Sequence, residues 1–160
     1  MADSFDILKS ELSGLVSSFS EELDEITRNR ASQQRIDDYT SLLRKMLVQS
    51  SLCYLDDVLS FFDGRCYVPV SVKRVCSMIG NLLHDNGVGA SDIRKISDMP
   101  FLVLEERRHE VDSDKVVFEN CVLDVASGIV LPFGTSVYTD YVRPFEYSED
   151  ARCPMWKKFL

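Results

Sequence analysis

Two histidines and five cysteines are the side chains of this 160-residue sequence best suited to catalysis or metal binding. A general base needs a nucleophile or a second titratable group within hydrogen-bond reach. His84 falls near the end of a helix-periodic stretch, where a cation complements the helix C-terminus. His109 falls in Glu105-Glu-Arg-Arg-His-Glu110, a mixed charge run expected to face solvent. Cys53, Cys66, Cys76, Cys121 and Cys153 are ten or more residues apart, so no pair has the close spacing of a zinc site. Their odd number argues against a disulfide framework and for a reducing, cytoplasmic setting. They read as small apolar side chains, buried or half-buried. The carboxylate pairs Asp56-Asp57, Glu105-Glu106 and Glu149-Asp150 are sequence neighbours that do not converge across a cleft. No Gly-x-x-x-x-Gly-Lys-Ser/Thr cradles a phosphate, and Gly87-Val-Gly89 is too short for a dinucleotide fingerprint. These residues therefore carry no assigned catalytic, cofactor or metal site.

Charge bounds the partners next. With 18 basic and 26 acidic residues the chain has a net charge of −8, which excludes a protein that grips nucleic acid by bulk charge. The cations come in doublets: Lys73-Arg74, Arg94-Lys95, Arg107-Arg108 and Lys157-Lys158. Lys73, Arg74, Arg94 and Lys95 are the candidate DNA contacts, because a local basic patch can serve where bulk charge cannot. Scattered solubilising charges are the competing reading. A composition of 45% hydrophobic and 28% charged residues is that of a folded globular chain. No stretch approaches the roughly 18 apolar residues of a membrane span. The start, Met-Ala-Asp-Ser-Phe-Asp, lacks the basic and apolar regions of a signal peptide.

The elements that would position these residues predict an α+β fold. From residue 3 to 50, Phe5, Leu8, Leu12, Leu15, Val16, Phe19, Leu23 and Ile26 recur at three- and four-residue steps, as a helix face requires. Asp3 or Ser4 caps the start. The polar run from Arg28 to Arg35 interrupts the pattern before Ile36, Tyr39, Leu42, Leu43, Met46 and Leu47 resume it. Two helices, or one long bent one, follow, either packed on the rest or free as a partner-binding arm. Asp63-Gly64-Arg65 between two aromatic runs predicts a hairpin, because glycine takes the positive φ of a tight turn. Pro69 then ends the second strand or confines it to an edge. Ser71 caps a helix striped by Val72, Val75, Cys76, Ile79, Leu82 and Leu83, which Asn86-Gly87 closes. A short helix runs from Ser91 to Asp98, stopped by Pro100. Val116-Val-Phe118, Val122-Leu-Asp-Val125 and Ile129-Val-Leu131 read as an antiparallel meander. Val137 to Val142 is expected to add a strand, and Pro154 to open a helix carrying Met155, Trp156, Phe159 and Leu160. The division expected is a helical extension over 1–50 and a second unit over 51–160, cut off in that last helix as in a fragment of a longer protein.

One stretch carries a family resemblance. Val117-Phe-Glu-Asn-Cys-Val-Leu-Asp-Val-Ala-Ser-Gly-Ile-Val-Leu-Pro-Phe133 is similar to the hairpin that precedes the superfamily 3 helicase ATPase in phage, plasmid and poxvirus-type primase-helicases. Asn120, Asp124 and Gly128 stand at its motif positions. Tyr147, Asp150, Ala151, Cys153, Pro154, Trp156, Phe159 and Leu160 resemble the family's segment leading into a helix. Upstream, Asp63, Gly64 and Tyr67 resemble its aspartate-glycine hairpin. The likeness spans about residues 52–160. Cys121 departs from it, standing where the family has glycine, so a different turn type is expected there. The resemblance implies a non-catalytic connector or collar in a DNA replication protein. Its partners would be the protein's own helicase domain, neighbouring subunits of a ring and, through the full-length protein, DNA. ATP and magnesium are implied for the parent protein and no cofactor for this stretch. The alternatives are a free-standing winged-helix-like DNA-binding module, with the Asp63-Gly64 hairpin as wing, and a helical oligomerisation protein.

Overall fold

The computed structural model describes residues 4–28, 32–96, 104 and 107–151. The N-terminal half is helical: α1 (Ser4–Ser18), α2 (Ser20–Arg28) and α3 (Ser32–Gln49). Three segments thus stand where one or two helices were expected. The extra break is at Phe19, whose N–H is shared between the Leu15 and Val16 carbonyls. Ser17 and Ser18 donate their hydroxyls to the Ser13 and Leu15 carbonyls, and such back-bonding bends a helix. Ser4 is the first helical residue; Asp3 lies outside the described residues. Helix α3 runs antiparallel to α2, tied by Lys45 to Glu22 at 2.6 Å and by the Thr27 and Tyr39 hydroxyls at 2.9 Å.

The first sheet has the order β3-β2-β1-β4, built from β1 (Cys53–Leu55), β2 (Val58–Phe62), β3 (Tyr67–Pro69) and β4 (Arg108–His109). The expected hairpin is β2–β3. Gly64 has φ +102°, and Asp63 accepts the N–H groups of Arg65 and Cys66. Pro69 sits on the edge strand, where its missing N–H breaks no ladder. Strand β1 joins β2 through Asp56-Asp57, both in the left-handed region at φ 45° and 66°. Strand β4 pairs parallel to β1.

Side chains alternate across this sheet. Tyr54, Leu59, Phe61 and Val68 face the helices; Cys53, Leu55, Phe62 and Tyr67 face Val111 and Tyr138. Helix α4 (Val72–Asp85) begins at Ser71, whose side chain accepts the Arg74 N–H. It ends in a Schellman turn: Val88 N–H bonds Leu83 O, Gly87 N–H bonds His84 O, and Gly87 takes φ +85°. Helix α5 (Ala90–Ile96) follows; Pro100 lies outside the described residues. One apolar core joins α1 to α5 with the sheet and runs across residue 50, from Leu8 to Leu104. Phe61 at its centre is fully buried, so Phe61→Ala would cost about 3–5 kcal/mol.

The second sheet is the expected meander, β5 (Lys115–Val117), β6 (Val122–Asp124) and β7 (Ile129–Leu131), antiparallel in the order β5-β6-β7. Its core is Val117, Val122 and Val137, flanked by Leu131, Phe133 and Val142. The strand expected over residues 137–142 does not form; Val142 makes a single parallel bridge with Val117. The backbone groups there go elsewhere. Thr139 O accepts the Tyr67 N–H and Tyr138 O the Asp112 N–H, both at 2.7 Å. This segment therefore stitches one sheet to the other.

Candidate functional site

Beyond the Asp63-Gly64 turn, the described residues among those singled out in the sequence fall into three places. The first is the meander's two turns. Asn120 reaches across to Tyr147: its Nδ2 donates to Tyr147 O at 3.0 Å, and its Oδ1 accepts the Tyr147 N–H at 2.9 Å. One side-chain amide thus replaces a pair of backbone bonds. Phe118 fills the space beside it, with rings of Phe145 and Tyr147 at 5.6 and 5.3 Å. The turn closes by Phe118 N–H to Cys121 O, and Cys121 is buried without a positive φ, as its side chain requires. At the other turn Asp124 Oδ1 accepts the Ser127 N–H at 2.9 Å, and Gly128 takes φ +73°. That N–H, with the Ser127 side chain and the charge of Lys115, holds the Asp124 carboxyl below its usual range. Asp150 and Ala151 follow in an exposed turn closed by Ala151 N–H to Ser148 O. Cys153, Pro154, Trp156, Phe159 and Leu160, with the helix expected there, lie outside the described residues.

The second place is the seam between the sheets, where Tyr67 is buried. Its hydroxyl donates to Thr135 O at 2.7 Å, and burial raises its pKa well above the usual range. Its ring stacks on Tyr138 at 5.5 Å and tilts against Phe62 at 5.6 Å. Tyr138 in turn stacks on His109 at 3.8 Å. His109 is therefore half-buried against an aromatic ring rather than on the solvated face its charged surroundings predict. The driving partner, Tyr138, is distant in sequence and gave no local signal. Asp112 holds the seam by accepting the Tyr138 N–H while Lys115 sits at 3.5 Å. Three of the described thiols pack as small apolar groups. Cys53, Cys66 and Cys121 are buried, and burial pushes the Cys66 thiol up to about 11.

The third place is the set of cations, which the structure distributes rather than gathers. Lys73 and Arg74 occupy the first turn of α4, and the Arg74 guanidinium lies 3.4 Å over the Phe5 ring of α1. Arg94 and Lys95 close α5, with Lys95 beside Ile36 and Arg44 of α3. Arg107, read in the sequence as one of a surface doublet, donates to the Leu47, Val48 and Ser50 carbonyls. It caps the end of α3, where a cation also complements the helix dipole. Arg108 pairs with Asp57. Among the described residues no three His, Cys, Asp or Glu side chains are grouped to hold a metal ion. Nor is any helix there long and apolar enough to cross a membrane.

Residues 84–160 match the family described as D5 N terminal like, the N-terminal domain of D5-like primase-helicases. No curated protein matches the chain. The match opens in the last turn of α4 and takes in α5, β4 and the whole meander. Asn120, Asp124 and Gly128 therefore lie inside it. Asp63, Gly64 and Tyr67 lie before it, so the resemblance read from residue 52 is matched from residue 84. Over that segment the chain is similar to a domain of primase-helicase-like, replication-related proteins.

Proposed function

We propose that this chain is a non-catalytic connector domain of a phage- or mobile-element-type DNA primase-helicase, helping its ring assemble and guiding DNA toward the motor. The observation that carries this reading is the family match over residues 84–160, which takes in the whole meander and, of the seam, His109, Asp112 and Tyr138. Within it, the polar motif side chains are engaged with backbone: Asn120 with Tyr147 and Asp124 with Ser127. A domain whose polar motif residues hold turns serves as a support. ATP and magnesium belong, on this reading, to an ATPase elsewhere in the parent protein, because no phosphate-cradling loop occurs in the sequence. Neighbouring subunits and that ATPase are its protein partners, in the cytoplasm of a bacterial host or an infected cell. The test is the reading frame beyond Leu160. A Gly-x-x-x-x-Gly-Lys-Ser/Thr encoded within several tens of codons is the expected result, and a frame without one overturns the reading. Duplex binding by the chain alone, lost in Lys73→Glu/Arg74→Glu, would replace it with a free-standing DNA-binding module.

A further inference from the structure

Phe145 and Tyr141 are the large aromatic side chains left most open among the described residues, each 55% exposed. They flank Arg143, whose guanidinium lies 5.1 Å from the Tyr141 ring centroid. The backbone under them is held on both sides. Arg143 N–H donates to Val117 O at 2.8 Å, Glu119 N–H donates to Phe145 O at 3.2 Å, and Pro144 fixes the φ between. Tyr141 and Arg143 also line a cleft beside β5 with Asp112, Lys115, Thr139 and Asp140. Thr139 is 95% buried there, and its Oγ1 is the one buried side-chain oxygen among the described residues without a hydrogen bond. Lys115 is already balanced by Asp112 and Asp114.

Exposed rings interleaved with arginine, on a preorganised backbone, present flat apolar faces with a donor between them. Nucleic-acid bases stack on such faces whatever their identity, and only unpaired bases can reach them. We propose that Tyr141, Arg143 and Phe145 form a contact for single-stranded nucleic acid, with Arg143 donating to a phosphate and the Thr139 hydroxyl available to a group entering the cleft. This names the form of nucleic acid the connector would guide, and it rests on that reading for its setting. The acids nearby, Asp140 and Glu146, mean that stacking rather than charge supplies the affinity. The salt dependence should then be shallow, near the slope of about −0.7 per phosphate for one or two neutralised phosphates.

The test is fluorescence anisotropy of a labelled oligothymidylate with the full 160-residue chain, at low and moderate salt. An oligouridylate of equal length and a mixed-sequence duplex are run as further arms. The expected result is binding of the single strands over the duplex. Tyr141→Ala should lose roughly five- to hundredfold, the size of one stacked base, and Arg143→Gln should flatten the salt slope. Thr139→Val, an isostere, should weaken binding with no loss of folding by circular dichroism. Absence of binding at low salt, preference for duplex, or wild-type binding by Tyr141→Ala overturns the proposal. None of these outcomes bears on the reading frame beyond Leu160, so the connector reading stands or falls separately.

Discussion

Replacing Asn120 by alanine removes the two hydrogen bonds that fasten the Phe118–Cys121 turn to Tyr147. A neutral hydrogen bond contributes about 0.5–1.5 kcal/mol net, and both groups here are near the surface, so the pair is worth about 1–2 kcal/mol. The main core, from Leu8 to Leu104, does not touch this turn. The loss should therefore appear as local opening of the meander rather than as a lower global stability. Amide hydrogen exchange followed by NMR reads this directly. The amides of Phe118 and Tyr147 should exchange about five- to thirtyfold faster in Asn120→Ala, while those in the middle of α3 and α4 stay unchanged. Asn120→Asp sharpens the case. It keeps an acceptor for the Tyr147 N–H but sets a carboxylate against the Tyr147 carbonyl, so at neutral pH it should open the turn at least as much as alanine. Unchanged exchange at Tyr147 in both variants, or equal acceleration throughout α3, would refute the pinning role.

Three further outcomes follow from single contacts. Arg107→Met strips three carbonyls of their charged donor and should cost about 2–3 kcal/mol, or roughly 5–10 °C in melting temperature, measured by urea and thermal unfolding; Arg107→Lys should recover part of it. Because the folded Asp124 carboxyl sits below its unfolded range, its contribution is present above about pH 4 and is lost as pH falls through its lower folded value; meander amides should loosen in that window, and Asp124→Asn should abolish the pH dependence. Cys66, with its thiol at about 11, and buried Cys53 should resist iodoacetamide at pH 8 in the native chain and react fully in urea, as peptide mapping would show.

What the sequence made legible was local. Asp63-Gly64 sits between its own two strands, Ser71 caps the helix beside it, and Asn86-Gly87 ends that helix within four residues. Each of these signals is complete in a short window. The missed features are not. Strand β1 was hidden because its turn uses Asp56-Asp57 in the left-handed region, where glycine or asparagine would have announced it. Strand β4 gains its identity from a parallel partner more than fifty residues away, which no local pattern encodes. Residues 137–142 have strand composition, yet their carbonyls are claimed by Tyr67 and Asp112, so tertiary bonding overrides propensity. Arg107 is indistinguishable from Arg108 in sequence; only the end of α3 tells them apart.

The motif residues of the matched segment have a structural use. The meander is three short strands whose buried set is Val117, Val122 and Val137. A sheet that small has little apolar area with which to hold its register. Side chain–backbone bonds make up the difference: Asn120 to Tyr147 at one end, Asp124 to Ser127 at the other, Asp112 to Tyr138 along the side. Each bond fixes a turn or an edge that the valines alone would leave loose. Backbone bonds from Arg143 N–H to Val117 O and from Glu119 N–H to Phe145 O then hold Arg143 and Phe145 against the meander while their side chains stay exposed. A rigid backbone presenting open aromatic side chains is what a contact surface requires.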